Sequence, residues 1–233
     1  MAVDLRGVVT VLLPGTGSDE QYLERAFADP LSAVGAHLVA IRPEPGALVA
    51  GYVRALERAA GDGPIAVGGV SLGAAVAAGW ALAHPDAVVA VLAALPPWTG
   101  APGDAPGAVS ARHTAAELRR AGLASTTAAM RASSPPWLAD ELARSWQRQW
   151  PDLPEALDEA AGFIAPGAAD LGRLTVPMGV AGAPDDAIHP LAVAQQWAAS
   201  APRAALRTVT LDRCGTEPAI LGRACLDALR AAG

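Results

Sequence analysis

The sequence predicts an α/β protein: a mostly parallel sheet of about six strands, helices on both faces, and a helical insertion after the fourth strand. Three observations carry this. Short apolar, β-branched runs alternate with Ala-rich stretches of good helix propensity. The alternation breaks once, between Pro96 and Leu171, where helical patterns succeed one another with no strand between them. Hydrophobic residues make up 52% of the 233-residue chain and charged residues 17%, enough apolar side chain for the core of one domain. The expected division is a core of residues 1–95 and 172–233 and an insertion of residues 96–171.

The elements run in order along the chain. Gly7 to Leu13 is a buried strand. Pro14 to Asp19 is a tight Gly-rich turn whose Ser18-Asp19 pair suits the N-cap of a helix from Glu20 to Phe27. Ala36 to Ile41 is a second strand. Gly46 to Ala60 is a helix with Leu48, Val49, Tyr52, Val53 and Leu56 at apolar spacing. Ile65 starts the third strand, and the helix behind it ends near Ala83, where His84-Pro85-Asp86 breaks it. Ala87 to Leu95 is the fourth strand. The insertion opens on a Pro- and Gly-rich loop, then reads as helices over Ala108–Ala121, Ala124–Ala132, Pro136–Gln149 and Leu153–Ala161. Leu174 to Ala181 is a strand, Pro190 to Ala199 a helix, Ala204 to Leu211 the last strand and Glu217 to Ala231 the last helix.

The most informative stretch joins the third strand to its helix: Gly69-Val70-Ser71-Leu72-Gly73, a G-x-S-x-G match between a β-branched run and an Ala-rich run. A strand turning straight into a helix holds its middle residue in a strained conformation at a sharp corner. The flanking glycines let strand and helix approach without Cβ clashes. The Ser71 hydroxyl then stands at the C-terminal edge of the sheet, where sites in parallel sheets lie. The Leu72 amide, at the helix start, points toward any oxyanion formed there.

With these features the chain resembles the α/β-hydrolase superfamily, of the type with a helical cap, over nearly its whole length. The resemblance implies that Ser71 is a nucleophile. It implies that Pro14-Gly15-Thr16 corresponds to the family's His-Gly-x loop, with Pro14 in place of the His and the Thr16 amide as second oxyanion donor. The loop Gly182 to Pro190 looks like the family's acid loop, with Asp186 as the acid and Asp185 as the near alternative. The insertion would be the cap, carrying Trp98, Trp137, Trp146 and Trp150. Gly15, Trp98 and Trp137 would line a pocket for a small or medium apolar substrate.

The pattern departs from the family at the base. The usual His comes after the last strand, and here Thr216 stands there; no histidine exists after His189. Without a base a serine hydroxyl is a poor nucleophile. His37 and His84 read as structural. His113, on the first insertion helix, and His189, three residues from Asp186, are the candidate bases. Three functions stay open: a serine hydrolase of esters or thioesters, a lyase, cyclase or isomerase on the same fold, and a non-catalytic binder of a small apolar ligand.

Other classes are disfavoured. The net charge of −6 and the lack of a basic cluster argue against nucleic-acid binding. Asp4 and Arg6 interrupt any leader-like apolar run at the start. The uncharged stretch Gly63 to Ala83 reads as strand, elbow and buried helix, so no membrane association is expected. Two cysteines, Cys214 and Cys225, suit free thiols and a cytoplasmic location. The Gly-rich turn lacks the Lys-Ser/Thr ending of a P-loop and the third glycine of a dinucleotide fingerprint. With the histidines scattered, neither cofactor nor metal is expected.

Overall fold

The computed structural model describes residues 3–233; residues 1 and 2, the first of the segment expected to lack a leader-like run, lie outside the described residues. Six strands form one parallel sheet: β1 (Val9–Leu13), β2 (His37–Ala40), β3 (Ile65–Val70), β4 (Val88–Ala94), β5 (Met178–Gly182) and β6 (Ala204–Thr208). Their order is β2-β1-β3-β4-β5-β6. The chain leaves β1 for the edge strand β2, then returns to pair β3 on the other side of β1. The loops after β1 and β3 therefore part at this reversal of direction, and a crevice at the carboxyl ends of the strands results.

Both faces of the sheet are covered, which is why β3 is buried at every position and reads as a continuous apolar run. Strand alternation divides the core. Val11, Leu13 and Val67 pack with α2 (Leu48–Ala60), α3 (Leu72–Ala83) and Trp197 of α8 (Leu191–Ser200). Leu12, Ala66 and Leu92 pack on the opposite face with α1 (Glu20–Ala33) and α10 (Ala219–Ala232).

Between β4 and β5 run α4 (Pro106–Ser133), α5 (Pro136–Gln149), α6 (Leu153–Gly162) and the short α7 (Ala168–Leu171). α4 kinks at Gly122, whose φ is 77°, so its two halves match the two helices expected there. Ala115, Leu118, Trp146, Leu153 and Leu157 form a small core of this segment's own. Carboxylates tie it to the elements around the sheet. Glu159 of α6 accepts from the Leu48 and Val49 amides (2.9 and 3.1 Å), capping α2, whose own N-cap Ala47 has no side-chain acceptor. Asp19, before α1, pairs with Arg144 and Arg148 of α5.

Three boundaries differ most from expectation. α1 continues to Ala33 because the buried stripe of Ala26, Phe27, Pro30 and Leu31 goes on past the expected end. β5 starts at Met178, since the Leu174 amide closes a turn on Leu171 instead of joining a ladder. β6 stops at Thr208, and Leu211–Thr216 forms α9, started by Thr210, whose Oγ1 accepts from the Arg213 amide at 3.3 Å. No helix of the described residues is long and apolar enough to cross a membrane.

Candidate active site

Ser71 connects β3 to α3 with φ 54° and ψ −120°, a sparsely populated conformation for a residue with a side chain. The corner is held from outside. The Ser71 amide donates to Ala94 O on β4 at 2.9 Å. The two elbow glycines are required by close approach: a Cβ on Gly69 would lie 2.2 Å, and one on Gly73 2.0 Å, from Leu13 O of β1. The G-x-S-x-G spacing thus records one carbonyl pressed against the corner.

The Ser71 hydroxyl lies 2.9 Å from His189 Nε2. His189 Nδ1 in turn lies 2.8 Å from Asp186 Oδ2. An ionised carboxylate only accepts, so Nδ1 carries the proton and Nε2 is left to accept from the serine hydroxyl. Asp186 is buried, 8% exposed. Burial alone pushes its carboxyl up, but the hydrogen bond and charge of His189 and the Ile188 and His189 amides outweigh this. The carboxyl ends below its ordinary range. Its Oδ1 accepts those two amides at 2.8 and 3.1 Å, an Asx-type turn that curls the loop so that His189 comes back over the Asp186 carboxylate. Asp185, exposed, faces away and accepts from the Leu211 amide at 2.8 Å, fastening the loop to the start of α9.

The loop after β1 lies against Ser71: a Cβ on Gly15 would meet Ser71 Cβ and Val70 O, each at 3.3 Å. Gly15 O accepts from the Ser18 amide at 3.0 Å, and Gly17 has φ 75°, the signature of a type II turn. That turn leaves the Thr16 N–H outside its own hydrogen bond. The buried Tyr52 hydroxyl donates to Pro14 O at 3.1 Å and pins the loop's entry. Leu72 is the first residue of α3, where amides have no partner within the helix.

His189, Asp186 and Ser71 are therefore brought together, with the loops of Thr16 and Leu72 beside them. His113 is not: it lies exposed on α4, near Glu117. Its helix turns that position outward, and the Ser71 partner is His189. Thr216 is exposed at the end of α9, its Oγ1 donating to Arg213 O at 3.2 Å. Trp98 is held in packing, with its N–H on Phe163 O and its carbonyl accepting from Trp197 Nε1, both at 3.1 Å. Trp137 stacks on Tyr22 (6.2 Å between centroids) and lies flat over Gly215, where a Cβ would come within 2.2 Å of its ring. The roles of Tyr52 and Asp185 were not anticipated; each depends on a partner distant in sequence. Among the described residues no group of three or more His, Cys, Asp or Glu is arranged to hold a metal ion.

A model of the alpha/beta hydrolase family matches residues 2–220. A search of curated proteins finds no match. The fold is similar to that of a hydrolase from Oleispira antarctica, at TM-score 0.74 and 12% identity over 95% of this chain and 90% of that one. It is similar to a thermophilic esterase from Thermogutta terrifontis (0.69, 17%, 97% and 91%). An enol-lactonase from Burkholderia xenovorans LB400 is comparably close (0.71, 16%, 95% and 91%).

Proposed function

Because the chain belongs to the alpha/beta hydrolase family, we propose that it is a serine hydrolase, of esterase or thioesterase type, for small to medium apolar substrates. The observation that carries this is the unbroken line of hydrogen bonds from Ser71 through His189 to Asp186 (2.9 and 2.8 Å). Ser71 Oγ attacks the acyl carbon as His189 Nε2 takes its proton. Asp186 stabilises the imidazolium that forms. The Leu72 and Thr16 amides hold the tetrahedral oxyanion. His189 then gives its proton to the departing alcohol or thiol, leaving an acyl-Ser71 ester. Water, activated by the same nitrogen, hydrolyses that ester and releases the acid.

The helices of residues 96–171 act as a cap over the site. An apolar substrate suits Ile188, 40% exposed next to His189, and the first turn of α4, where Gly107 packs between Trp98 and Ile188. The buried free cysteines fit a cytoplasmic location.

The test is labelling with a fluorophosphonate probe read by mass spectrometry, beside hydrolysis of p-nitrophenyl esters of graded acyl length. The wild type is expected to take one label, on Ser71. His189→Ala is expected to abolish labelling and to lower kcat by as much as about 10⁶, the loss seen for a protease triad. His113→Ala should label as the wild type does. A folded wild type that takes no label overturns the proposal.

A further inference from the structure

Asp19 makes more contacts than a helix cap requires. It is 2% exposed and sits two residues beyond Gly17. Its Oδ1 accepts from the Gln21 and Tyr22 amides at 3.1 and 3.4 Å, which caps α1. A serine or asparagine would do as much. Yet Oδ1 also accepts from Arg144 at 2.9 Å, and Oδ2 from Arg148 at 3.2 Å, across more than a hundred residues of chain. The two guanidiniums are held in turn by Glu141 (2.7 Å) and Glu20 (2.6 Å). One helical turn of α5 continues the grip on the same stretch. Gln149 Nε2 donates to Ser18 O at 3.0 Å, and the Trp146 ring lies so close that a Cβ on Gly17 would fall 2.8 Å from its Nε1. Arg25 and Glu141 pair beside them.

Apart from the α1 cap and the Arg25–Glu141 pair, these contacts fall on residues 17–20, immediately after Thr16. We infer that Asp19 is a positioning residue for the oxyanion site: through Arg144 and Arg148 it fixes the Gly15–Ser18 turn against α5, and so sets where the Thr16 amide points. The inference rests on the hydrolase reading above, in which that amide receives the oxyanion. The turn itself is short and carries a positive φ at Gly17, so its one internal hydrogen bond does not determine its tilt. A charge-assisted clamp on the next residues does. Catalysis is sensitive to such placement, since removing one oxyanion donor outright costs about 10²–10³ in kcat.

The variant Asp19→Asn separates the two duties of this side chain. Asparagine caps a helix as well as aspartate does but offers the guanidiniums no charge. Active sites are titrated with the fluorophosphonate probe, and kcat and KM for p-nitrophenyl acetate are expressed per labelled site. The expected result is a fall of about 10-fold or more in kcat per site, with KM within about twofold. Arg144→Gln with Arg148→Gln should give the same fall from the other side, and adding Asp19→Asn to that pair should cost little more. If Asp19→Asn does not fold, the arginine pair alone decides. A merely structural role would lower the melting temperature and the labelled fraction while leaving kcat per labelled site at the wild-type value, and that outcome overturns the inference. An unlabelled wild type overturns the hydrolase reading and this one with it, whereas a labelled wild type with unchanged variants overturns this one alone.

Discussion

Asp186 shows how one short side chain organises a site. One oxygen takes two amides of its own loop and shapes it; the other holds the imidazole three residues on. Its folded-state carboxyl is depressed from 3.8, so the stability it contributes is in place above that pH and is lost as pH falls through the lower folded value. Asp186→Asn should therefore flatten the acid end of a plot of urea midpoint against pH. The same variant should lose about 10⁴ in kcat, as a wrongly held imidazole does. At this scale His189 was legible only as a candidate. Its spacing from Asp186 suits a shared turn, but its contact with Ser71 spans 118 residues of sequence. The place after the last strand, where the family's base is expected, holds Thr216, so order along the chain does not single out His189. Asp19 was legible as an N-cap and not as a clamp, because its arginines come from a helix 125 and 129 residues away.

Among the elements, the β3–α3 corner was the most readable, because its chemistry and its packing are written in the same five residues. Gly73→Ala tests the packing half. Its Cβ would meet the Leu13 and Pro14 carbonyls, backbone groups that cannot swing aside. A loss of about 3 kcal/mol or more is expected by urea denaturation, at the upper end for overpacking. Glu159 tests the docking of the helical segment. It supplies the acceptors that Ala47 lacks at the start of α2. Glu159→Ala should cost about 1 kcal/mol, the usual worth of a cap, and should loosen hydrogen exchange at the Leu48 and Val49 amides. The ends of strands were less readable. Thr208 to Leu211 is apolar enough for a strand, yet the Thr210 hydroxyl starts a helix there, a local hydrogen bond that periodicity does not register.

For the molecule as a whole, alternation of strand and helix patterns was enough to foresee a covered parallel sheet, because burial on both faces leaves a plain apolar signature. The order of the strands was not in that signature; it depends on which edges meet. The same thorough burial governs the thiols. It raises Cys214 to about 11, with Asp185 and Asp186 adding to the effect, and holds Cys225 higher still. Native protein at pH 8 should leave both unreacted with a thiol-specific reagent, and both should titrate at once in denaturant.

The turn that returns His189 to Asp186 has a consequence for tolerance to change. Asp186 and His189 ride on one small piece of chain, so their mutual alignment survives any tremor that moves the piece as a unit. The Leu211 amide moors that piece to the start of α9. Past that mooring, α10 packs against the sheet face that carries Leu12 and Leu92. The Ser71–His189 contact is where that loop meets the separately carried serine corner.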